Sequence, residues 1–337
     1  MGILKLGQPP KTVSGVHSVA EEIAAADLNN LYMTSCFFSD PEKYSAFCAF
    51  YAVMRVVDDR IDDLPSRAGL SEEDRRAEHD AVQAWEEGIA ACYAGWPPEQ
   101  PTLDRCGHDQ AGELLDAVAI SLRSFRVPSV LWEDFFRAMH RDIDRPRFET
   151  WREFLRYTEG ASVAPTTIYL FLLASRHDST DAHYRPPESF AFHSCGYHLG
   201  IFAYLGHIVR DLAEDLGTGR EGLLYFAHED MEAHGVTERM LFEDLARRRA
   251  SPETRALVAD LSGRAREHLG RGRGLLGGAD SWLEQDCLFI LELIITIYER
   301  VIDKIESCSF DPLAGQHRLS GEEKRQVIQE VASSIMA

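Results

Sequence analysis

The sequence predicts an all-helical protein, and three of its features point that way. Apolar residues recur at intervals of three and four through most of the chain. The alternation expected of a half-buried strand is nearly absent. Breakers separate the periodic segments: Pro97-Pro98 with Pro101, Pro146, Pro186-Pro187, the run from Gly217 to Gly222, and Pro312 with Gly315. Hydrophobic residues make up 45% of the 337, enough for a large core. The expectation is a single all-helical domain spanning residues 1–337.

Taken in order, helical periodicity marks segments near 16–33, 41–63, 72–93, 110–125, 129–142, 151–175, 188–216, 228–248, 253–276, 281–307 and 321–336. The stretch 94–109 reads as the loosest loop. Ser320, three residues before Glu323, reads as a capping box that opens the last helix. The longest apolar runs, Ile168–Ala174 and Cys287–Tyr298, fall short of the roughly 20 residues a membrane span needs. Glu292 also interrupts the second, which reads as a buried helix. No apolar core follows Lys5 or Lys11, as a secretion signal requires. The expected location is the cytoplasm, and peripheral contact with a membrane stays compatible with the chain.

A formal net charge of −20 argues against a nucleic-acid partner, whose backbone needs a basic face. An acidic protein that takes an anionic substrate needs metal ions or a local arginine cluster as a bridge. The seven cysteines include no CxxC pair, so zinc-knuckle and disulfide-framework readings fail. Reduced, mostly buried thiols are expected.

The most informative segment runs from Phe47 to Asp63. On a helix, Tyr51, Arg55, Asp58 and Asp62 fall at i, i+4, i+7 and i+11, one polar stripe beside Phe47, Phe50, Val53, Val57 and Ile61. Two carboxylates one turn apart suit magnesium, which takes one or two carboxylates plus substrate phosphates. Arg55, one turn earlier, offers a planar fork to a diphosphate oxygen. The plainer reading is a solvated helix end, because charge runs are usually solvated faces and Leu64-Pro65 stops the helix. A second cluster, from His207 through Arg210-Asp211 to Asp215, repeats the theme after a long apolar stretch containing Gly196, Gly200 and Gly206. Two such clusters on two helices can clamp one diphosphate through bridging metals, since buried carboxylates need a cation.

These two motifs, in this order and spacing, resemble those of the squalene/phytoene synthase family, which includes bacterial dehydrosqualene synthase. The family pattern Tyr-x-x-x-Arg-x-x-Asp-Asp-x-x-Asp stands here as Tyr51, Arg55, Asp58, Asp59 and Asp62. Its second motif stands as Arg210-Asp211 to Asp215, then Gly219-Arg220, then Leu224-Tyr225-Phe226. Weaker matches are Asp142, Tyr157 with Gly160 to Ala164, Tyr298, and Arg318-Leu319-Ser320. The resemblance covers Leu31 to Lys324. Two positions depart from it: His207 stands where the family carries Asn, and Tyr204 where it carries Gln. Imidazole is a poorer partner than an amide oxygen for magnesium.

The resemblance implies an isoprenoid-synthase-type bundle around a central apolar cavity. It implies about two or three magnesium ions bridging an isoprenyl diphosphate. Their candidate ligands are Asp58, Asp59, Asp62, His207, Asp211 and Asp215. Tyr51, Arg55, Arg210 and Tyr298 are the candidate catalytic residues. Arg55, Tyr204, His207, Arg210, Arg220 and Tyr225 are the candidate substrate contacts. The implied reaction is head-to-head condensation. Two farnesyl units give presqualene diphosphate, squalene or dehydrosqualene, and two geranylgeranyl units give phytoene. NADPH enters only where the product is squalene. The alternatives are a divergent terpene cyclase, prenyl transfer to another acceptor, and a non-catalytic scaffold relative.

Other patterns carry less. Gly272-x-Gly274-x-x-Gly277 has the letters of a dinucleotide fingerprint, but no strand pattern precedes it. Neither HExxH nor Gly-x-Ser-x-Gly occurs. The run Ile168 to Leu173 reads equally as a prenyl tunnel wall or as ordinary core.

Overall fold

The computed structural model describes residues 12, 15–26, 29–64, 70–144, 147–177, 183–188, 190–217, 224–315 and 317–336. Local sequence decides where its helices begin. The segment expected as one helix over 16–33 is two, α1 (Ser18–Ala25) and α2 (Asn30–Ser35). Asn29 starts the second by accepting the N–H of Tyr32 at 2.9 Å. Asp40 caps α3 (Pro41–Asp62), and Pro41 fits its first turn, where no N–H partner is needed. A Ser71/Asp74 capping box opens α4 (Glu72–Ala94), and Gly95, left-handed at φ 73°, ends it. The stretch expected as a loose loop holds α5 (Gln100–Arg105), with Pro101 in its first turn. The indole N–H of Trp85 ties it down through the Cys106 carbonyl at 3.2 Å.

Helices α6 (Ala111–Phe125) and α7 (Val130–Asp144) follow expectation. The segment expected as one helix over 151–175 is α8 (Trp151–Thr158), a π turn (Glu159–Val163) and α9 (Ala164–Ala174). Pro165 brings no N–H to the ladder, and the wider π register absorbs that loss. Two-residue strands, β1 (Arg176–His177) and β2 (Tyr184–Arg185), pair antiparallel. Next comes α10 (Phe192–Arg210), which bends at Asp211 into α11 (Leu212–Gly217). The segment expected as one helix over 228–248 splits into α12 (His228–Ala233) and α13 (Glu238–Arg247). Gly235, left-handed at φ 67°, and the cap Thr237 explain the break. The chain closes with α14 (Pro252–Leu275), α15 (Ala279–Trp282), α16 (Gln285–Ser307) and α17 (Gly321–Met336). The Ser320/Glu323 capping box forms as expected.

A continuous buried core runs from Val19 to Val331. At its centre α10 packs against α14, α9 and α16, while α3 packs against α1, α6 and α7. Close approach at α10 depends on two glycines. A Cβ on Gly200 would sit 2.7 Å from the Val163 Cα, and one on Gly196 would collide with Thr167. Gly206 is different: its Cβ would meet Ile302 at an ordinary 3.7 Å. All seven cysteines are free, five of them buried. Among the described residues no helix is long and apolar enough to cross a membrane.

Candidate active site

Helices α3, α7, α9, α10 and α16 enclose a cavity of about 950 Å³. That is near the upper end of ligand-pocket sizes. Its inner wall is apolar, with Phe50, Met139, Leu172, Phe202, Leu291 and Ile295. Ile168, Tyr169 and Leu170 also line it, so the α9 run is cavity wall as well as core. Its other end is polar and acidic.

Helical spacing brings the first motif to that end. Tyr51, Arg55, Asp58, Asp59 and Asp62 all line the cavity, and Asp63 does not. Tyr51 stacks on Phe47 with ring centroids 5.4 Å apart, and its hydroxyl accepts from Asn29 Nδ2 at 2.6 Å. The second motif reaches the same space from α10 and α11 with Tyr204, His207, Arg210, Asp211 and Asp215. Tyr225 and Tyr298 join them. Arg220 lies outside the described residues.

The two arginines do not stand open to a diphosphate. Arg55 Nε donates to Asp59 at 2.6 Å. Arg210 forks onto its chain neighbour Asp211, with Nε donating at 2.8 Å. Sequence spacing placed both on the right face, but only the folded side chains reveal the carboxylates that already hold them. Two other cations face the cavity. Arg318 bridges Asp211 at 3.1 Å and Glu214 at 2.7 Å, and Lys324 has no acidic partner among the described residues. Burial, with Arg210 and Arg318 nearby, pushes Lys324 down.

The carboxylates repel one another across the cavity. Asp58 lines the cavity and is exposed to solvent. Its carboxyl is pushed well up by burial, then by Asp62, Asp142 and Asp59. Burial, then Asp211, Glu214 and Asp62, pushes Asp215 up to about 7. The Asp62–Asp215 interaction links the two motifs in space. Asp211 goes the other way: burial alone would raise it, but Arg210, His207 and Arg318 outweigh that. Burial and the two arginines hold His207 down to about 4, so its imidazole is neutral.

One constellation was barely legible in the sequence. Tyr204 donates to the Tyr157 hydroxyl at 3.2 Å, and Tyr157 donates to Asp142 at 2.8 Å. Tyr225 completes an aromatic group, stacked with Tyr157 and edge-on to Tyr204 at 6.0 Å from each. Burial holds all three phenols well above their ordinary range. The sequence named Tyr204 and Tyr225 as candidate substrate contacts and Asp142 and Tyr157 as weak matches, but not that the four meet.

A family model described as squalene/phytoene synthase matches residues 27–324. The chain belongs to this family. It is therefore an enzyme of the prenyltransferase class. A phytoene synthase from Thermus thermophilus is 25% identical over 299 residues, covering 87% of this chain and 84% of the relative. A presqualene diphosphate synthase from Zymomonas mobilis is 28% identical over 232 residues, 68% of this chain and 65% of the relative. Among solved structures, a dehydrosqualene synthase with bound ligand superimposes with a TM-score of 0.70 at 20% identity, covering 95% of this chain and 96% of that one. At that identity the likeness speaks for the fold, an all-helical isoprenoid-synthase bundle.

The family's divalent metal has a suitable donor set here. Facing carboxylates on α3 and α10–α11, each raised in part by its acidic neighbours, fit such an ion. Another acidic group, Glu284 with Asp286 and Cys287, also has closely spaced ligand atoms. Lys43 already occupies it: its ammonium, 1% exposed, donates to Glu284 at 2.6 Å and lies 3.3 Å from Cys287 Sγ. That group is a buried lysine's anchor.

Proposed function

We propose that this chain joins two isoprenyl diphosphates head to head with loss of diphosphate, using magnesium. The observation that carries this reading is the pairing of two aspartate motifs at the polar end of one large apolar cavity. Asp58 and Asp62 on one side, and Asp211 and Asp215 on the other, would hold the metal ions. When bound, magnesium supplies Lewis-acid stabilisation of the leaving diphosphate. Lys324 and Arg318, and Arg55 and Arg210 once released from their carboxylates, take up the charge that develops on it. Apolar walls keep water from the allylic cation, and the Tyr157–Tyr204–Tyr225 faces stabilise it through their π systems. The first C–O bond breaks, the cation adds to the double bond of the second prenyl chain, and a proton leaves as the cyclopropane closes. Intact, cavity-facing carboxylates oppose the scaffold alternative.

The test is incubation of the purified protein with magnesium and, separately, geranyl, farnesyl and geranylgeranyl diphosphates. Released diphosphate is measured and the products are extracted for mass spectrometry. The expected result is a product of two joined prenyl units from one or more substrates, with release abolished in Asp58→Ala and Asp211→Ala. A product holding one prenyl unit would replace this reading with the cyclase, a reading that the departures at Tyr204 and His207 would then explain. No release from any substrate would overturn both.

A further inference from the structure

The two sides of the acidic mouth differ in donor chemistry. The α3 side offers carboxylate oxygens alone. On the other side His207, Asp211 and Asp215 follow one another at intervals of four. The helical ladder carries them through the bend: Asp211 N donates to the His207 carbonyl at 2.9 Å, and Asp215 N to the Asp211 carbonyl at 2.9 Å. Imidazole and carboxylates therefore share one face, and all three line the cavity.

His207 has the placement of a ligand. Its Nε2 lies 3.4 Å from Asp211 Oδ2. That is long for a hydrogen bond, which for nitrogen and oxygen falls at about 2.7–3.2 Å. Two ligands of one ion, each about 2.1 Å from it, lie about 3.0–3.4 Å apart in octahedral or tetrahedral geometry. The side chain is 48% exposed, opening into the cavity, and its ring meets Tyr298 edge-on at 6.4 Å. A histidine held only for packing has no need to aim Nε2 at a carboxylate oxygen in the substrate space.

We propose that the second motif binds a first-row transition ion through a mixed nitrogen–oxygen edge, His207 Nε2 with Asp211 Oδ2, and that this chain prefers such an ion to magnesium. The inference rests on the reading of the site as a metal-dependent diphosphate centre. Its physical basis is ligand type. Magnesium favours oxygen and keeps its waters, whereas transition ions accept imidazole and bind mixed sites more tightly. Arg210, whose fork already donates to Asp211 Oδ2, swings off that oxygen when the ion enters, while Arg318 bridges Asp211 Oδ1 and Glu214.

Manganese(II) is the probe, because its spin reports the nuclei bound to it. The full chain is titrated with manganese(II) and followed by electron paramagnetic resonance, with pulsed measurements to detect directly bound 14N. Magnesium is then added in competition. The expected result is a nitrogen coupling in the native protein that vanishes in His207→Asn and persists in His198→Gln, a histidine outside the cavity. The advantage of manganese over magnesium falls about tenfold or more in His207→Asn. Bound manganese without nitrogen coupling, or with coupling that survives His207→Asn, overturns the inference. If magnesium-dependent diphosphate release persists in that case, the proposed reaction stands on its own. If neither ion binds and no diphosphate is released, the proposed reaction falls with it.

Discussion

Asp58 sits where function and stability pull apart. It lines the cavity, and the carboxylates of Asp62, Asp142 and Asp59 surround it with like charge. Arg55 eases that repulsion, but Asp59 already holds its guanidinium. Replacing Asp58 with Asn keeps the shape and removes one of the repelling charges. Asp58→Asn is therefore expected to raise the melting temperature of the metal-free protein while abolishing diphosphate release. Calorimetry at neutral pH in the presence of a chelator checks the first half, and the diphosphate assay the second. An unchanged or lower melting temperature would show that the repulsion is relieved by other means.

Among the helices, α10 carries the second motif and lies at the centre of the packing, so its faces are the most constrained. Gly200 meets the Val163 backbone directly, and neither helix can yield without shifting the π turn. Gly200→Ala is expected to cost about 1–3 kcal/mol through overpacking. Gly206→Ala, with open contact distances, is expected to gain about 0.5–1 kcal/mol from helix propensity. Urea denaturation of the two variants side by side separates these cases. The outer face of α10 meets α14 through His198 and His268, whose Nδ1 atoms are 3.1 Å apart. Burial, then His198 and Arg271, holds His268 down to about 4, and burial with Arg271 also lowers His198. Both are neutral when folded and take up protons more readily when unfolded. Their contribution is fully present above about pH 6.5 and is lost as pH falls towards 4. Urea midpoints are expected to drop across that window, and less steeply in His268→Gln.

For the molecule as a whole, the acidic mouth gathers mutually repelling carboxylates at one end of the cavity. A divalent ion bound there stabilises the folded state alone. At a hundredfold excess over its dissociation constant, that stabilisation is about 2.7 kcal/mol. Thermal denaturation with and without magnesium or manganese is expected to show the shift in the native chain and none in Asp58→Ala with Asp211→Ala combined. A shift that survives the double substitution would place the ion elsewhere.

The helical class, most helix positions and both aspartate motifs were legible in the sequence, because all of them rest on spacing along one chain. Asp58 and Asp62, or Asp211 and Asp215, share a face by helical geometry whatever surrounds them. Breaks that depend on one side chain capturing one N–H were missed, as at Asn29, or passed over, as at Gly235 with Thr237. Pro101 looked like a loop residue and proved to start a helix, since the first turn of a helix has no use for its missing N–H. Which partners the charged groups take is a different kind of fact. Arg55 on Asp59, Arg318 on Asp211 and Tyr157 on Asp142 depend on rotamers and on elements distant in sequence. Periodicity determined which residues face inward. Only the tertiary structure decided what each of them meets there, because electrostatic and hydrogen-bond partners are chosen by distance in space.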